Sequence, residues 1–111
     1  EAAVRMFEVL GLEDGDSDGA FEEVETFDSD DLWPSKAFVL VHNGEAGREI
    51  SVWIGGEYEG VDDVEDDELC QQFATAARDR ICEELNMVAE SLEVVVDGSE
   101  PDSFWDLFEL G

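Results

Sequence analysis

Asp14, Asp16, Asp18, Gly19, Phe21 and Glu25, all within DGDSDGAFEEVE, stand at the spacing of an EF-hand calcium loop. Calcium takes roughly six to eight oxygen ligands, and short carboxylates at alternate positions with a closing glutamate can bring several of them to one point. Two features weigh against that reading. Asp and Glu make up 32 of the 111 residues, so such spacing arises readily from composition alone. The stretch after Glu25 also runs through DSDDL to Pro34, which leaves no room for an exiting helix. The plainer alternative is a solvated turn that gathers sodium or potassium ions. Weakly held Ca2+, Na+ or K+ is therefore the only cofactor expected.

Other chemistry has little to stand on. His42 is the single histidine, at the end of an apolar run, where it is expected to cap a turn. No Ser/His/acid set emerges, and one histidine with Cys70 and Cys82 is short of a zinc site. Gly55-Gly56 and Gly98 fit neither nucleotide-binding fingerprint. The sequence offers no seat for an enzyme.

The charge balance narrows the partners. Five Lys and Arg face the 32 acids, for a net charge of −27. Nucleic acid and anionic membranes are excluded as partners, because both demand basic side chains. In dilute buffer this self-repulsion pushes a compact state apart, whereas near 1 M salt the Debye length is about 3 Å and the repulsion is screened. With Lys36 as the sole lysine, a surface of short carboxylates predicts a salt-rich cytoplasm. Hydrophobic residues are still 43% of the chain, with seven Phe and three Trp. That is enough for one core in one domain, residues 1–111.

Several elements must position these residues. VRMFEVL at 4–10 and FEEVETF at 21–27 read as two strands across an acidic turn, and AFVLV at 37–41 as a central strand covered on both faces. EISVWI at 49–54 sets Ile50, Val52 and Ile54 on one face and Trp53 on the other, and it forms a hairpin with the preceding strand. A helix is predicted over 67–87, its stripe being Leu69, Phe73, Ala77, Ile81, Leu85 and Val88. Cys70 and Cys82 then lie about 18 Å apart along it and cannot pair. Free thiols, with no signal peptide or membrane span in view, point to a cytoplasmic protein. LEVVV at 92–96 is a last strand, and Pro101 opens a short helix with Phe104, Leu107 and Phe108 on one face. The absence of an initiator Met suggests a domain cut from a longer protein.

Taken together, the pieces resemble one repeat of the gelsolin, villin and severin family. RMFEV at 5–9 is similar to its Arg-Leu-Phe-Glu opening, FEEV at 21–24 follows, and FDSDDL at 27–32 is similar to its Phe-Ser-Gln-Asp-Asp-Leu segment. More specific are FVLVHNG at 38–44 with ISVWIGG at 50–56, and GSEPDSFWDLF at 98–108, which matches the Gly-x-Glu-Pro-x-x-Phe closure. The resemblance implies an α+β domain: a mixed five-stranded sheet between one long helix and one short C-terminal helix. It also implies a protein-interaction role, with an actin-like or other cytoskeletal partner, and the charge balance adds the expectation of a salt-loving archaeon.

The resemblance implies a calcium site between a carboxylate at the start of the third strand and a glutamate on the long helix. Here the first position falls at Lys36-Ala37, so only Glu68 remains of that pair. The expected contact face is the outward side of the long helix, with Gln72, Thr75, Arg78, Asp79 and Cys82. The plainer reading of Arg78 and Arg80 is that they relieve crowding there by pairing with Glu83 and Glu84. Two functions stay open: an interaction module, or a cation-responsive regulatory domain using the 14–25 loop.

Overall fold

A computed structural model of the chain describes residues 4–10, 21–24, 32–44, 47–102 and 104–105. In the opening strand β1 (Val4–Val9), exposed Arg5 and half-buried Glu8 interrupt an otherwise buried run. β1 pairs antiparallel with β2 (Phe21–Val24) in register Met6↔Val24 to Val9↔Phe21. β3 (Ala37–Gly44) pairs antiparallel with β1 on one side and with β4 (Gly47–Ile54) on the other. β5 (Ser91–Val96) lies parallel to β4, so the sheet is mixed and its order is β2-β1-β3-β4-β5.

A parallel neighbour needs a long crossover. Helix α1 (Asp67–Leu85) supplies it and packs against β4 and β5. Asp66 caps its N-terminus, accepting from the Glu68 and Leu69 amides at 2.9 and 3.4 Å. Asp67 and Glu68 then suit the positive end of the helix dipole. At the other end Asn86 turns left-handed at φ 52°, and the Met87 amide donates back to the Cys82 carbonyl at 2.9 Å.

That cap ends the helix two residues before the predicted 87 and throws Val88 off the stripe, to 79% exposure. The buried positions are Cys70, Ala74, Ala77 and Ile81, whereas the predicted Leu69, Phe73 and Leu85 are half-buried at its flanks. Small residues along the contact line let the helix approach the sheet closely.

Because side chains alternate across a strand, the sheet has two different interiors. The first face buries Phe7, Val9, Val39, Val41, Ile50, Val52 and Ile54 beneath α1 and its flanking loops. The second buries Val4, Met6, Phe38, Leu40, Trp53 and Val95 together with Phe104. β3 is thus apolar on both faces and central, as its continuous run requires.

The closure GSEP is held from within the second face. The Trp53 indole donates to Glu100 Oε2 at 3.0 Å, while Glu100 Oε1 accepts from the Gly98 amide at 2.9 Å. Asp102, Phe104 and Trp105 are helical, and the Phe104 amide donates to the Pro101 carbonyl at 3.0 Å. The rest of the predicted short helix, with Leu107 and Phe108, lies outside the described residues. Gly55 is required for a close approach: a Cβ there would collide with the Pro34 and Lys36 carbonyl oxygens, and its amide donates to the latter.

Candidate protein-interaction site

The outward side of α1 follows from its buried side. With Cys70, Ala74, Ala77 and Ile81 against the sheet, Gln72 and Asp79, seven residues apart, stand on the exposed crest. Thr75 and Cys82 share a flank and are half-buried, with Cys82 packed against the first core. Arg78 is also half-buried. The five predicted contact residues therefore form a crest and a flank rather than one exposed face.

Arg78 pairs with Asp79 and not with the Glu83 or Glu84 expected from helical spacing. Its Nε and Nη2 donate to Asp79 Oδ1 at 3.1 and 2.9 Å. The long guanidinium side chain folds across its own neighbour and neutralises the crest locally. A pair this exposed contributes little stability, so its groups are available at small cost to a partner.

Other predicted positions resolve differently. Asp14, Asp16, Asp18 and Glu25 lie outside the described residues. Lys36, just before β3 and at the place where the resemblance implies a carboxylate, sets its ammonium 3.0 Å from Glu8 Oε1. Glu68 stays exposed in the first turn of α1, and among the described residues no group of His, Cys, Asp or Glu could hold a metal ion. Both cysteines are free. Burial first, and then Asp67, Asp66 and Asp63, push the Cys70 thiol above its ordinary pKa, so it stays protonated and inert. No described helix is long and apolar enough to cross a membrane.

His42 does not cap a turn. The hairpin strands run further than the apolar run suggested, so His42 sits inside β3 opposite Glu49. Its Nε2 lies 3.4 Å from Ser51 Oγ, which donates to Glu93 Oε1 at 3.5 Å. Across the same pair of strands, β4 and β5, the Ser91 hydroxyl donates to Glu49 Oε1 at 3.1 Å. These side chains line a groove of about 410 Å³ on the second face of the sheet.

The sequence reading missed this row because it depends on the register of three strands, two of them parallel. It is not a nucleophilic triad. Glu93 reaches the serine rather than the second imidazole nitrogen, and Ser51 is only 2% exposed.

No family model and no curated protein matches the chain. Solved structures do. Two similar ones are chains from the crystal structures of the Thorarchaeota 2DGel3/rabbit actin complex and the Thorarchaeota ProGel/rabbit actin complex. TM-scores are 0.57 and 0.56, each at 21% identity over 95% of this chain. This chain spans 45% of the first neighbour, under half its length, and 98% of the second. Strand order, crossover helix and anchored closure, with this likeness end to end, establish the fold as the gelsolin-like one that the sequence resembles.

Proposed function

We propose that this domain is a protein-interaction module that binds an actin-like filament protein through the crest and flank of α1. The observation that carries the reading is the structural likeness, over 95% of this chain, to two chains each solved in a complex with actin. The chemistry of α1 is compatible with it. Gln72 and Asp79 present hydrogen-bonding groups on the crest, and Arg78 offers a guanidinium held by only one exposed carboxylate oxygen. Arginine is enriched where proteins meet, and a weak local ion pair is readily exchanged for one across an interface.

Cosedimentation with actin filaments, comparing the parent with Arg78→Glu, tests the proposal. The parent is expected in the pellet, with the variant weakened at least about tenfold, because reversing a contact charge commonly costs more than about 1.4 kcal/mol. A parent that stays wholly in the supernatant would sink the actin reading. Equal pelleting of both forms would discard the α1 face alone.

The setting we infer is a salt-rich cytoplasm, supported by the net charge of −27. A melting temperature that climbs as KCl is raised toward molar concentration is expected, since screening relieves like-charge repulsion. A flat or falling salt dependence would reject that setting.

A further inference from the structure

We propose that the groove on the second face of the sheet is a receptor for an arginine side chain of a protein partner. The groove lies across the sheet from α1, so both sites can be occupied at once, and it does not depend on the actin reading.

Its walls are His42 on β3, Glu49 and Ser51 on β4, and Ser91 and Glu93 on β5. The two carboxylates are set diagonally, because Glu49 is level with Ser91 and Ser51 is level with Glu93. They are therefore offset by about 4.8 Å across the strands and about 6.6 Å along them. A serine hydroxyl donates to one oxygen of each, which orients the carboxylate and leaves its second oxygen for a ligand.

Among the described residues no lysine or arginine side chain answers this charge. All five basic side chains stand elsewhere: Arg5 on Glu23, Lys36 on Glu8, Arg48 against Met87, Arg78 on Asp79, and Arg80 on α1 across the sheet. An anion is repelled by this lining, and the described side chains do not converge closely enough for a metal ion. What remains complementary is an organic cation entering from outside.

Arginine fits better than lysine. A planar fork with five donors can address two carboxylates at once and stack on an imidazole, which His42 supplies at the groove wall. An ammonium is a compact, strongly hydrated point charge and satisfies one carboxylate at a time.

The test is a titration of the folded chain with N-acetyl-arginine amide, followed by amide chemical shifts, beside the lysine analogue, the neutral isostere N-acetyl-citrulline amide, and KCl. Saturable shifts centred on His42, Ser51 and Glu93 are expected with the arginine probe. Binding should be at least about fivefold weaker with lysine, and absent with citrulline. Glu93→Gln, on an exposed side chain, should keep the parent fold by circular dichroism and weaken the arginine probe about tenfold. Shifts reproduced equally by lysine or by KCl would reduce the groove to a counterion site and overturn the proposal. Absence of localised shifts, or undiminished binding by a folded Glu93→Gln, would overturn it as well.

Discussion

The two faces of the sheet are closed by opposite means. On the first, a long helix brings alanines and a cysteine close to a floor of Val and Ile, so burial is shared among many modest side chains. On the second, among the described residues, Trp53, Phe38, Phe104 and Met6 carry most of the volume, and Phe104 is the buried side chain that the closing segment contributes. The Phe38 and Trp53 rings lie 6.0 Å apart, as cross-strand partners on that face. Shared burial is sensitive to added volume and anchored burial to lost volume. The anchored face also has room to spare: its apolar part ends at His42, Ser51 and Glu93, where the groove opens.

The largest effect should come from removing the anchor. Trp53→Ala is expected to cost about 3–5 kcal/mol, a large share of the roughly 5–15 kcal/mol that a domain possesses. Urea unfolding followed by far-ultraviolet circular dichroism would measure it. On the first face the revealing change is Ala77→Leu, which inserts volume where the helix lies closest and should cost about 1–3 kcal/mol. If the leucine proved more damaging than loss of the indole, the contrast between the faces would be broken.

A smaller effect isolates the bond that ties the closure to its anchor. Glu100→Gln keeps the shape and an acceptor oxygen but removes the charge that faces the Trp53 indole and the Gly98 amide. A loss of about 1 kcal/mol is expected in the same unfolding assay. No loss at all would mean that the segment is secured without this bond.

These differences explain which parts of the molecule could be read in advance. Strand alternation in EISVWI and the unbroken AFVLV run stated which residues face where, because period two and two-sided burial leave direct marks on sequence. The helix stripe was placed slightly wrong. Ala74 and Cys70 are small and drew less weight than Leu69 and Phe73, yet small size is what lets them sit nearest the sheet. The left-handed Asn86 was equally hard to foresee, and with it went Val88. The outward positions of Gln72 and Asp79 were legible from helical spacing, but the Arg78–Asp79 pair was not, since adjacent residues on a helix do not ordinarily face each other. The groove was invisible because Glu93 joins His42 and Ser51 only once β5 is known to run parallel to β4.

The smallest effect lies at the margin of the first face, where β1 meets β2. There Arg5 lies 5.1 Å above the Phe7 ring and donates twice to Glu23, at 3.0 and 2.9 Å. The hydrogen bond from Arg5 holds the Glu23 carboxyl below its ordinary pKa, against a smaller opposing push from burial. A depressed carboxylate stabilises the fold fully above the ordinary carboxylate range, and that contribution disappears as pH falls through the lowered folded value. Since both partners are exposed, Glu23→Gln should cost only about 0.2–1 kcal/mol at neutral pH. The gap between parent and variant should then close in acid. Unfolding midpoints at pH 7 and below the carboxylate range would show it, at low protein concentration because the net charge vanishes near pI 4.1. A gap that persisted in acid would mean that Glu23 acts by covering β1 rather than by its charge, and the margin of the first face would then be closed by packing like its centre.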